Sequence, residues 1–69
     1  MSEPPLARYG TPLTPAELRV IEVMRECDTE AEAARILGLS RHTVHNHLAN
    51  ARSRRGVRST RRLLTLVAA

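Results

Sequence analysis

From residue 13 onward the apolar positions recur every three or four residues, and no stretch alternates as a strand would. That period belongs to helices, and four are expected. The first opens at Thr14, an N-cap followed by Pro15 at the first helical position and by Glu17, which completes a capping box. It turns Val20, Ile21 and Met24 inward with Val23 beside them, and is expected to reach about Glu26. Leu13 and Leu18 are spaced for a hydrophobic staple. The second opens with another capping box, Thr29 to Glu32, directs Ala33, Ala34 and Leu37 inward and ends at Gly38. Ser40 is a third N-cap, so Gly38-Leu39-Ser40 is a very short turn between two helices, with Leu39 as its buried residue.

The third helix occupies the stretch Ser40 to Gly56, SRHTVHNHLANARSRRG, and is placed over residues 41–55. At about 100° per residue, Val44, Leu48 and Ala51 form an apolar seam flanked by His47 and Arg55. His42, His45, Asn46, Ala49 and Ser53 lie opposite, with Arg52 and Arg54 along the borders. An apolar seam backed by a small, hydrogen-bonding face suits a helix that lies in a DNA major groove. Ser59 or Thr60 caps a last helix, from about Arg61 to Ala68. Leu63, Leu66 and Val67 are expected to face the core, with Leu64 and Ala68 to one side. Pro4, Pro5, Gly10 and Pro12 keep residues 1–12 out of regular structure, so they form a flexible arm or linker before a domain over 13–69.

Charge sharpens this picture. Residues 1–32 hold all seven acids and only Arg8, Arg19 and Arg25, a net −4; residues 33–69 hold eight arginines and no acid, a net +8. So sharp a split points to an electrostatic footprint for a polyanion. Asn46 suits adenine, whose N6 and N7 an asparagine can bridge, and Ala49 suits close approach or a thymine methyl. Arg41, Arg52, Arg54 and Arg58 are assigned to phosphates, while Arg55, on the seam side, is expected to pack its stem. His47 belongs to the fold.

Other chemistries fit less well. His42, His45, His47 and Cys27 match no zinc spacing, so no metal or cofactor is expected. No acid after Glu32 orients a histidine base and no Gly-rich phosphate loop occurs, so no enzyme is expected. Tyr9 is the sole aromatic ring, too little for stacking single strands or RNA. No apolar run approaches the ~20 residues of a membrane span and no secretory signal opens the chain, so a cytoplasmic, nucleoid-associated protein without a membrane partner is expected.

Three blocks in register, Leu13–Glu17 (LTPAE), Ala34–Ser40 (ARILGLS) and Thr43–Leu48 (TVHNHL), followed by GVRS, resemble the LuxR-type (GerE-like) DNA-binding domain of bacterial transcription regulators. The resemblance spans residues 13–69. It implies an all-α, four-helix helix-turn-helix domain whose third helix is the recognition helix and whose last helix mediates homodimerisation. It also implies base contacts from the positions of His45, Asn46 and Ala49. Backbone contacts are implied from Thr43, Asn50 and the two ends of the third helix, where Arg41, His42, Arg52, Ser53 and Arg54 lie, with Arg58 just beyond it. Leu64 and Ala68 are the expected dimer interface. The chain departs from the family pattern in carrying Cys27 where glycine is usual and His45 where lysine is usual. The sensory or phosphoreceiver domain that usually precedes the module has no counterpart, which implies a stand-alone regulator. The alternative is a protein-interaction adaptor related to the helix-turn-helix of sigma factors, whose basic end resembles Ala51–Arg55; it would dock on RNA polymerase or on a separate effector chain.

Overall fold

The computed structural model describes residues 8–67, which form four helices: α1 (Pro15–Met24), α2 (Glu30–Leu37), α3 (Arg41–Arg55) and α4 (Thr60–Val67). No strand occurs among the described residues. The first three helices pack on one another pairwise, and α4 packs on α3. The core they enclose consists of Val20, Ile21, Val23, Met24, Ala33, Ala34, Val44, Leu48, Ala51 and Leu63. All three seam residues of α3 are fully buried.

Local chemistry sets the boundaries. The Thr14–Glu17 box is reciprocal: the Glu17 amide donates to Thr14 Oγ1 and the Thr14 amide to Glu17 Oε1, each at 3.1 Å. At α2 only half of the expected box forms. The Glu32 amide donates to Thr29 Oγ1, but the Glu32 carboxylate reaches past Thr29 to the Asp28 amide at 3.0 Å. Ser40 Oγ accepts from the Thr43 amide at 3.0 Å, and Ser59 Oγ, the cap of α4, from the Arg62 amide at 3.0 Å. Gly38 and Gly56 end α2 and α3 in the left-handed region at φ +70° and +69°, where a side chain would be strained.

Four expectations change. α1 stops at Met24 rather than Glu26, because the Glu26 and Cys27 amides bond the carbonyls three residues back and tighten the exit turn. Cys27 fills the usual glycine position there without a positive φ, so the turn does not use the freedom that glycine supplies. Partial burial, then the nearby Glu32 carboxylate, raises its thiol pKa, which favours the neutral thiol. Leu39 is exposed, since Leu37 fills the core beneath the turn; Leu18 is exposed too, leaving Leu13 alone against the core. On α4 two leucines exchange roles. Leu64 and Val67 pack against the core beside the fully buried Leu63 and Leu66 points outward, because the inward arc runs from Leu63 toward Leu64 rather than toward Leu66. Ala68 lies outside the described residues.

The segment before α1 is tied to the end of α3. The Gly10 amide donates to the Arg54 carbonyl at 2.9 Å, and the Tyr9 ring lies so close to Gly56 that a Cβ there would meet Tyr9 Cε1 at 2.5 Å. Tyr9 and Gly10, within the arm expected over residues 1–12, are therefore docked on the end of α3; residues 1–7 of that arm lie outside the described residues.

Candidate nucleic-acid interface

The outward face of α3 begins at the Ser40 cap. Arg41, His42, His45 and Asn46 are exposed over its first half, and Thr43, Ala49, Asn50, Arg52 and Ser53 are half-buried beside them. The structure thus brings His45, Asn46 and Ala49 to one side of the helix, opposite the seam of Val44, Leu48 and Ala51. Arg58 is exposed in the loop before α4. Arg55 is exposed rather than packed along the seam. His47 is half-buried, in keeping with a place in the fold. Thr43 Oγ1 is hydrogen-bonded to Ser40 Oγ at 2.8 Å, so its hydroxyl belongs to the cap as well as to the face.

The side chains on this face are already engaged with one another. Asn46 Nδ2 lies 3.2 Å from His42 Nε2, one turn apart on the helix. His45 Nδ1 lies 3.3 Å from Glu30 Oε1 on α2, so a carboxylate from the acidic half of the chain sits beside an expected base reader. Glu30, Arg41, His42 and His45 together line a shallow groove. At the other end of the helix, Arg52 Nη1 donates to Thr60 Oγ1 at 2.9 Å and ties α3 to α4.

Arg54 is not a free cation for phosphate. Its Nε donates to both oxygens of Glu17, at 2.8 and 3.1 Å, and its Nη1 to Thr11 Oγ1 at 2.7 Å. The two charged side chains are only 16% and 3% exposed. The structure therefore gives Arg54 a structural role, whatever it does at the DNA backbone. The reason lies in α1: Glu17 falls on the same inward stripe as Val20, Ile21 and Met24, and a carboxylate taken from water needs a cationic partner. That stripe was the available signal, since residues 17, 20, 21 and 24 follow helical spacing; the capping box accounted for one lone pair of Glu17 and masked the need for more. The Glu30–His45 pair left no comparable mark, because it crosses a turn between a half-buried and an exposed position.

Among the described residues no group of three or more His, Cys, Asp or Glu is arranged to hold a metal, and no helix is long and apolar enough to cross a membrane. No curated protein and no solved structure matches the chain. The sequence pattern of one family does: that of the bacterial regulatory proteins of the luxR family, GerE, over residues 11–67. This match covers α1 through α4 and the Thr11 that receives Arg54. It comprises DNA-binding helix-turn-helix regulators, and four helices with a short turn between the second and third accord with it. The chain belongs to the LuxR family of bacterial regulatory proteins.

Proposed function

We propose that the protein is a sequence-specific duplex-DNA-binding transcription regulator of the cytoplasm that inserts α3 into the major groove. The observation that carries this reading is the outward face of α3. It is polar and exposed over its first half, free of large apolar side chains, and backed by a fully buried seam that fixes its orientation. His45, Asn46 and Ala49 meet base edges, and Arg41, His42, Thr43, Asn50, Arg52, Ser53 and Arg58 line the phosphates. Arg54 acts from beneath, by holding the C-terminal end of α3 against α1.

The protein binds as a homodimer whose recognition helices sit about 34 Å apart on a pseudo-palindrome. Contact between protomers runs through α4, where Leu66 is 56% exposed beside Ser59, Arg61, Arg62 and Thr65. Leu64, half-buried against the core, contributes at the margin. Selection from a random duplex library tests all of this together, because the enriched sequence reports the motif, its symmetry and its half-site spacing. An enriched palindrome and an affinity that falls with salt are expected, with a slope of about −0.9 per phosphate neutralised. Affinity indifferent to salt, with no enriched sequence, would sink the reading. Capture of RNA polymerase without DNA selectivity would transfer it to the adaptor alternative.

A further inference from the structure

The two histidines on the exposed half of α3 are tied through different ring nitrogens, and that difference has chemical consequences. His42 faces the Asn46 amide group with Nε2. His45 is held the other way round, with Nδ1 toward Glu30 Oε1. An ionised carboxylate only accepts, so Nδ1 of His45 is the donor, and the neutral ring must carry its lone pair on Nε2. Glu30 is the more buried partner, 26% exposed against 54% for His45. It comes from the first turn of α2, the helix on the far side of the turn. The charged and titratable groups that share the groove with the His45 ring are Glu30 from α2, and Arg41 and His42 from its own helix; α1 and α4 contribute nothing to that lining.

We infer that Glu30 is a specificity-determining positioning residue that acts through His45. By holding Nδ1–H it sets the tautomer and the orientation of the ring, so that Nε2 is what the base edge meets. The inference rests on the DNA-binding reading above. With a neutral ring, Nε2 is an acceptor and selects a base-edge amino group, cytosine N4 or adenine N6. With a protonated ring, Nε2–H is a donor and meets an acceptor instead, guanine O6 or N7, thymine O4 or adenine N7. A lysine at this position presents donors in every case. The combination of His45 with Glu30 therefore yields a reader whose preferred base changes with the protonation of one imidazole. A carboxylate that fixes an imidazole tautomer from behind does the same in catalytic triads and around metal-bound histidines. An ion pair this exposed adds little to stability, so its effect is on orientation rather than on the fold.

The test has two arms, both on the full chain. In the first, the ring-nitrogen NMR shifts of His45 are read without DNA. The Nδ1–H form is expected in the wild type, moving toward the Nε2–H form in Glu30→Ala; an Nε2–H ring in the wild type overturns the proposal. In the second, duplex selection is run at about pH 8 and about pH 5, on either side of the ordinary histidine range, for the wild type, Glu30→Ala, His45→Ala and the double variant. One base-pair column per half-site should favour cytosine or adenine at the higher pH and shift toward guanine or thymine at the lower. Glu30→Ala should weaken that column's preference about fivefold or more and leave the other columns in place, which also controls for folding. In the His45→Ala background it should change nothing further. Glu30→Gln, whose amide oxygen still accepts, should restore the higher-pH preference. A wild-type motif that Glu30→Ala leaves unaltered overturns the role of Glu30 and keeps the DNA-binding reading; no wild-type motif at all overturns both.

Discussion

The two ends of α3 are built on opposite principles. At the first half, Arg41, His42, His45 and Asn46 stand exposed; Asn46 meets His42 at 3.2 Å and His45 meets Glu30 of α2 at 3.3 Å, contacts that water can replace. At the second, Arg54 is locked to a nearly inaccessible Glu17, its carbonyl receives the Gly10 amide, and Tyr9 covers Gly56. Both ends are basic in sequence, but they differ in what surrounds the charge. A guanidinium in water is available to a phosphate, whereas one beside a buried carboxylate is a fastener. Counting arginines along the helix therefore overstates the charge it leaves accessible, and the first half, with fewer charges, exposes more of its polar side chains.

The largest test of this contrast is Arg54→Ala. It leaves Glu17 buried and unpaired and removes the hydrogen bond to Thr11, so a loss of about 3–5 kcal/mol is expected. In a domain this small that amounts to roughly 15 °C or more in melting temperature. Replacing Glu17 together with Arg54, for instance with Leu at 17 and Met at 54, should recover much of the loss, because no charge is then stranded. A thermal melt by circular dichroism distinguishes the outcomes. An Arg54→Ala protein that melts normally would mean the second half of α3 is no anchor.

Gly56→Ala strikes the same end less hard. The residue holds φ +69°, where an alanine costs about 1–2 kcal/mol, and the new methyl would collide with the Tyr9 ring. Tyr9 is exposed and can swing aside, so the backbone strain dominates. Tyr9→Ala in the Gly56→Ala background should then add only a few tenths of a kcal/mol. A much greater stability loss from Gly56→Ala than from an alanine at the equally left-handed Gly38, which has no neighbour within 4 Å of a Cβ, would instead assign the cost to the ring.

Most of the fold was legible in the sequence because its signals are local. Thr14, Thr29, Ser40 and the two αL glycines cap their helices through residues at most four apart, and the seam of Val44, Leu48 and Ala51 follows from one period. The differences arise where a distant partner decides. Glu17 and Arg54 are 37 positions apart and Glu30 and His45 are 15 apart; spacing turns Glu17 inward but does not name its partner, and it leaves the second pair unmarked. The exchange of Leu64 and Leu66 has the same origin: periodicity defines a stripe on α4, and only packing on α3 determines where its centre falls. Of the expected reading face, the exposure of His45 and Asn46 was foreseeable, whereas the side chains that restrain them were not.

Asn46→Ala addresses the other half of the helix, and stability is the wrong readout there. The residue is exposed and its side chain bonds His42, so stability should hold to within about 0.5 kcal/mol of the wild type. Base discrimination should fall by about 1–3 kcal/mol at a single column of each half-site, with the remaining columns intact. Loss across all columns would show that Asn46 supports the helix rather than reads from it.

The smallest effect is also the sharpest comparison. Arg58 is exposed in the loop after α3, and by the reasoning above it is what Arg54 is not, a cation available to phosphate. Arg58→Ala should leave the melt unchanged, weaken binding to every duplex sequence alike and make the slope of log K against log salt shallower by about one. Over a fourfold change in salt that corresponds to about a fourfold difference in affinity. The Glu17→Leu, Arg54→Met double variant should keep the wild-type slope, since the charge it removes was already neutralised by the protein. Equal slopes for Arg58→Ala and the wild type, with a shallower slope in the double variant, would reverse the assignment of the two arginines: the buried pair would have to open on DNA, and the anchored end of α3 would be part of the binding surface.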